Sequence, residues 1–197
     1  MSDRMVPFQT LVGLTFQAPT EAARQILSVN WPREALWLGL ALTAVVNTLV
    51  LRVADAMSPA QAGLTSAIPA VAYAGAVFGL HVATCALMTW TGRWLGGKAR
   101  FSDLLALTVW LNALQIGLLV AVILLHGILP LAASLIALLT NFAMLAIFML
   151  FIKEAHQFAS IWRAIGTVFM SALIVLFLLT FLVGAQAPEI LGLPDHV

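Results

Sequence analysis

Charged residues make up only 9% of this 197-residue chain, about a third of their share in an ordinary soluble domain. The net charge is +1, so no strong field points to a polyanion, and no nucleic-acid partner is expected. Cysteine is scarcer still. Cys85 stands alone, which excludes an intramolecular disulfide framework. What remains is apolar: 62% of the residues, with a mean hydropathy of +1.05. This excludes a soluble globular domain and a disordered chain, and it places one domain in a bilayer.

Charge is missing altogether from five long stretches. A spanning helix needs about 20 mainly apolar residues. Ala35–Leu51 lies between Glu34 and Arg52 and reaches roughly 26 Å, enough if Arg52 snorkels outward. Ile68–Thr91 follows a segment made turn-like by Ser58, Pro59, Gln61, Gly63, Ser66 and Pro69, which argues against a sixth span there. Leu104–Leu125 and Ile128–Ile152 are parted at His126, Gly127 and Pro130. Ala164–Ala185 is the fifth. The expected fold is all-α: a membrane domain over 35–185, a cytoplasmic amphipathic segment over 1–34, and a non-cytoplasmic tail over 186–197.

Basic residues give an orientation. Arg4, Arg24, Arg33, Arg93, Lys98, Arg100, Lys153 and Arg163 fall on one side of five spans, and only Arg52 on the other. The positive-inside rule makes the crowded side cytoplasmic. Trp31, Trp37, Trp90, Trp94 and Trp162 fall near the same interface, which suits an apolar ring with one N–H to satisfy. Trp110 is somewhat deeper. The first thirty residues show no signal-peptide pattern. They do show helical periodicity at Phe8, Leu11, Val12 and Phe16, then at Ala22, Ala23, Ile26 and Leu27. Pro19 divides the two runs, Thr20 and Glu21 suit a helix start, and Pro32 ends the second. Such a segment either lies apolar side down on the membrane or packs on the protein's own loops.

No Asp, Glu, Lys or Arg falls within a span, so the intramembrane carboxylate or base of an ion-coupled transporter is missing. The polar groups at depth are His81, Gln115 and Asn141, with Asn112 about one turn nearer the cytoplasm and Asn47 nearer the far side. An unpaired amide in lipid is costly, so these groups should face one another. Their role is either interhelical hydrogen bonding or a midplane site for a small polar ligand, the basis of an alternative reading as a small-solute transporter or channel. His81 and Cys85 share a helix face, but no third ligand accompanies them, so no metal site is expected. Gly75, Gly79 and Ala83 form a small-residue strip, read first as a contact between spans and second as a homodimer face. No nucleophile, base and acid fall together at one depth, and no enzyme activity is expected.

The loops carry a resemblance. Thr91-Gly92-Arg93-Trp94-Leu95-Gly96-Gly97-Lys98-Ala99-Arg100-Phe101-Ser102-Asp103-Leu104-Leu105-Ala106-Leu107 resembles the central signature of the Yip domain family, named for Ypt/Rab-interacting proteins. There a glycine pair, a small polar gap and a phenylalanine precede the third span. Two further segments resemble alphaproteobacterial members. One is the proline-led helix Ala18-Pro19-Thr20-Glu21-Ala22-Ala23-Arg24-Gln25-Ile26-Leu27. The other is the run Phe151-Ile152-Lys153-Glu154-Ala155-His156-Gln157-Phe158-Ala159-Ser160. The resemblance covers nearly the whole chain and implies five spans with the N-terminus inside. Val109-Trp110 stands near where eukaryotic members carry Gly-Tyr in the third span, and their acidic first-span signature is absent. Their role in Golgi and vesicle traffic is therefore not carried over. What the resemblance implies is a small multi-pass protein of a bacterial inner membrane that acts through protein or lipid contacts.

The residues themselves support a cytoplasmic interaction face. Arg93, Lys98 and Arg100 gather in one loop, and a basic residue beside an anionic leaflet is worth about 1 kcal/mol. Gly96 and Gly97 let the backbone turn beside them, Phe101 follows, and Asp103 is placed to cap the third span and pair with a cation. Glu154, His156 and Phe158 of the fourth loop fall on the same side. The expected partners are membrane lipids and other membrane or cytoplasmic proteins, with a homo-oligomer open. No cofactor is expected.

Overall fold

The computed structural model describes residues 7–57 and 68–184. The loop over 58–67 and the tail over 186–197, both expected outside the bilayer, lie outside the described residues. Seven helices are present among the described residues: α1 (Phe8–Gln17), α2 (Pro19–Ser28), α3 (Arg33–Met57), α4 (Ala70–Trp94), α5 (Phe101–His126), α6 (Pro130–Ala155) and α7 (Ile161–Gly184). Five of them, α3 to α7, are long and apolar enough to cross a membrane. Each overlaps one of the five expected spans.

The helix ends have local causes. Pro130 opens α6 at a position where the missing N–H costs nothing. Gly127 turns the chain as Ile128 and Leu129 donate to the Leu125 carbonyl. Asp103 starts α5 three residues earlier than expected, because its carboxylate accepts the Arg100 N–H at 2.9 Å. α3 runs six residues past Leu51, through Arg52 and Asp55. Arg52 reaches out of that last turn to the Ile68 carbonyl, so its charge does not stop the helix.

Helices α3, α5, α6, α7 and α4 pack in that order as a closed ring, and α4 also touches α5 across it. The tight core lies toward the end that carries α1 and α2. Cys85, Met88, Leu104, Leu107, Ile147, Phe151 and Ile152 are buried there. Thr91 of α4 and Ser171 of α7, both fully buried, bond hydroxyl to hydroxyl at 2.8 Å. Beyond Leu111 no residue of α5 is buried, so the bundle loosens toward its other end.

The N-terminal helices close the tight end. Ala22, Ala23 and Ile26 of α2 are buried against α6 and α5, and Trp31 Nε1–H ends that helix on the Ile26 carbonyl at 3.0 Å. Of the two expectations for this segment, α2 follows packing on the protein itself. α1 leans on Trp110, whose indole N–H donates to Thr15 Oγ1 at 3.1 Å and whose ring meets Phe8 edge-on at 5.4 Å. The small-residue strip is different. Neither Gly75 nor Gly79 has an atom within 4 Å of where a Cβ would stand, so the strip makes no close contact between spans. The close crossing is at Gly39, where a Cβ would meet Val109 of α5 at 2.9 Å.

Candidate functional site

Two loops meet at the tight end. After α4, the Gly97 N–H donates to the Gly92 carbonyl (2.8 Å) and the Gly96 N–H to the Arg93 carbonyl (2.9 Å). This is a Schellman cap. Gly96 holds the left-handed position at φ +85°, where a side chain would be strained. After α6 the same pattern returns. The Phe158 N–H donates to the Lys153 carbonyl (2.9 Å) and the Gln157 N–H to the Glu154 carbonyl (3.0 Å). Here Gln157 takes the left-handed position, at φ +55°. The Lys98 N–H ties the loops together by donating to the His156 carbonyl at 3.1 Å.

His156 sits between the two caps and is 1% exposed. Its ring stacks on Phe158, with centroids 5.0 Å apart and planes 14° from parallel. Gly92 and Gly97 form the rest of the slot, and a Cβ on either would overlap the imidazole. Among the described residues, neither ring nitrogen has a partner in hydrogen-bond geometry. Burial lowers the ring's pKa from its ordinary 6.5. The Met88 carbonyl and Asp103 oppose that shift, while the Arg93 guanidinium adds to it. The glycine pair thus does more than turn the chain. His156 and Phe158, placed on the interaction face by their sequence position, are interior residues that hold that face in shape.

The charges lie outside this slot. Arg93, Lys98 and Arg100 are exposed. Arg93 Nε–H donates to the Ala99 carbonyl at 3.3 Å, and Arg100 pairs with Asp103 at 3.0 Å, the cap and pairing expected of that carboxylate. Phe101 packs its ring near Trp37, centroids 5.9 Å apart. Glu154 accepts from Arg24 of α2 at 2.6 Å. Among the described residues, Lys98, Lys153 and Arg163 have no carboxylate partner. Trp90, Trp94 and Trp162 stand exposed around the same end.

The second group of candidates comes together deeper in the bundle. His81, Asn112, Gln115 and Asn141 all line one cavity of about 360 Å³ between α4, α5 and α6. A neighbouring cavity of about 280 Å³ joins His81, Asn112 and Gln115 to Asn47. Asn47 is therefore at the level of the others and not nearer the far side. It stands fourteen residues from Arg33, Gln115 fourteen from Phe101, Asn141 fourteen from Ala155 and His81 thirteen from Trp94. That is roughly 20 Å into each helix from the basic end. His81 Nδ1 lies 2.7 Å from the Val77 carbonyl. Since a carbonyl only accepts, Nδ1 carries the proton, and in the neutral ring Nε2 is the acceptor. Among the described residues, no side-chain hydrogen bond joins the four amides to anything. The mutual bonding expected of them is not made, and an amide left so in hydrocarbon costs several kcal/mol.

A family model described as the Yip1 domain matches residues 13–182, from within α1 to the last turn of α7. The chain belongs to the Yip1 domain family. No curated protein and no solved structure matches it. The match places both capped loops and the polar layer inside the Yip1 domain.

Two contributors are not visible in the sequence, and a third is visible only at another depth. Gly92 reads as an ordinary helix residue, and only its distance of five from Gly97 hints at a six-residue cap. Arg24 reads as a topology signal, and nothing in the sequence ties it to Glu154. Asn47 reads as nearer the far side when the first span ends at Leu51, whereas α3 continues to Met57.

Proposed function

We propose that this Yip1 domain protein organises membrane lipids or partner proteins through its basic end, without catalysing a reaction, and that this end faces the cytoplasm of a bacterial cell whose inner membrane holds the protein. The observation that carries this reading is the set of exposed cations gathered at the end where the two caps lock together. Lys98 and Arg163 are unpaired among the described residues, and exposed tryptophans mark the level of the headgroups around them. Each such cation beside an anionic leaflet adds about 1 kcal/mol of attraction. The interlocked caps hold the loop backbone in one arrangement, so a headgroup or an acidic partner loses little of its binding energy to ordering the loop.

The test is native extraction of the tagged protein in polymer nanodiscs, followed by quantitative mass spectrometry of the lipids and proteins that accompany it. The comparison is a variant carrying Arg93→Glu, Lys98→Glu and Arg100→Glu. An anionic lipid or acidic protein retained by the wild type and lost from the variant supports the reading. Equal recovery from both, with the variant folded, overturns it.

A further inference from the structure

The polar layer lies where the proposed interaction face does not reach. It has no charged residue, so it is not built for a phosphate or a metal cation. Its amides each offer donors and an acceptor, and His81 Nε2 is an acceptor in need of a donor. The walls around them are apolar, with Leu80, Met88, Leu111, Met144 and Phe148 among them. The cavity is not closed. Leu80 is 42% and Leu145 45% exposed at its edge, and Gln115 and Asn141 are exposed themselves. Below it the core is shut by buried Met88, Leu111 and Met144. A molecule would therefore enter sideways from the bilayer, polar part first.

We infer that this cavity binds a neutral lipid bearing a free hydroxyl and carbonyl oxygens. The hydroxyl donates to His81 Nε2. The carbonyl oxygens accept from the amide N–H groups of Asn112, Gln115 or Asn141. The acyl chains leave past Leu80 and Leu145. A diacylglycerol has this chemistry. A triacylglycerol lacks the hydroxyl, and a phosphatidic acid brings a charge that nothing in the layer neutralises. The cavity of about 360 Å³ is in the range of small-molecule sites, and the one of about 280 Å³ adjoins it.

The experiment is native mass spectrometry of the full chain in detergent, titrated with dioctanoylglycerol, trioctanoylglycerol or dioctanoyl phosphatidic acid. Dioctanoylglycerol should bind at least about tenfold more tightly than either of the others. The variant with Gln115→Leu and Asn141→Leu should lose about tenfold for dioctanoylglycerol, as should His81→Phe. Should a variant not fold, the wild-type series decides alone. Equal affinity for all three lipids, no binding at all, or a homodimer whose contact covers Gln115 and Asn141 overturns the inference.

Discussion

His156 is a titratable ring enclosed by two glycines and a phenylalanine. That enclosure yields two predictions. The first is steric. Gly92→Ala would drive a methyl group into the imidazole, and overpacking of this kind costs roughly 1–3 kcal/mol. The cost should show as a lower melting temperature of the purified protein. Adding His156→Ala should return part of it, so the pair should be non-additive, as contacting residues are. Simple additivity would show that the ring is elsewhere. The second is electrostatic. Burial holds the folded ring's pKa below 6.5, so the folded protein favours the neutral form. Acid then favours the unfolded chain, which takes up the proton first. The stability is present above the unfolded value and is lost as pH falls through the folded one. Melting temperature should therefore drop as pH falls below the ordinary imidazole value of 6.5, and it should drop less in His156→Phe. The facing charges, Arg93 and Asp103, act in opposite directions on the ring, so neither alone reverses that sign. A wild type and variant with parallel pH profiles would remove His156 as the cause.

At the scale of elements, the two caps and α2 make one unit. α2 presses Ala22, Ala23 and Ile26 inward and reaches Glu154 on α6 with Arg24. The arginine of this salt bridge is largely in water, so the pair steers the docking more than it strengthens it. The apolar face carries the energy. Ile26→Asp should free α2, since a carboxylate cannot be buried there unpaired. Hydrogen exchange over 19–28 should then approach that of a free peptide, while α3 to α7 stay protected. If the wild-type segment already exchanges that fast, α2 is not docked. This part of the molecule was the least legible in the sequence. The amphipathic period of α2 is there, but a period names an apolar face and not its partner, and lipid and protein both satisfy it. The spans were legible for the opposite reason. An apolar run of the right length between basic clusters has only one use, and one internal turn signal at Gly127 and Pro130 was enough to split the longest. Ends were less clear. Arg52 looked like a stop, yet a long side chain leaves the charge outside while the helix goes on. That single misread end put Asn47 at the wrong depth. The other polar candidates were legible as a set, because nearly equal counts from the basic end place His81, Gln115 and Asn141 in one layer, with Asn112 about one turn nearer that end. The paired caps were not, because a Schellman cap is written in backbone bonds, and Gln157 carries its left-handed turn without the usual glycine.

The whole molecule is asymmetric along its axis. One end holds the packed core, both docked helices, the exposed tryptophans and most of the cations. Among the described residues the other is loose and apolar and carries Arg52 and Asp55, with Arg52 turned to the Ile68 carbonyl. Insertion follows the basic loops, which resist crossing the membrane, so the asymmetry predicts a topology that can be measured. In a Cys85→Ala background, single cysteines at Lys98 and at Gly127 would stand in the two loops at opposite ends of α5. A maleimide that cannot cross membranes should label Gly127→Cys in intact spheroplasts and reach Lys98→Cys only after permeabilisation. Removing Cys85 should cost little, since it is a small buried group bonded weakly to Thr108 at 3.3 Å. The outcome bears on both proposals at once. With Lys98 inside, the basic end meets the leaflet whose anionic lipids can hold it, and the cavity above the core opens to lipid about midway between the two surfaces. With Lys98 outside, the cations would face a surface with no such attraction on this account, and the lipid-organising role would fail, whereas the polar layer, equally distant from either side, would keep its ligand.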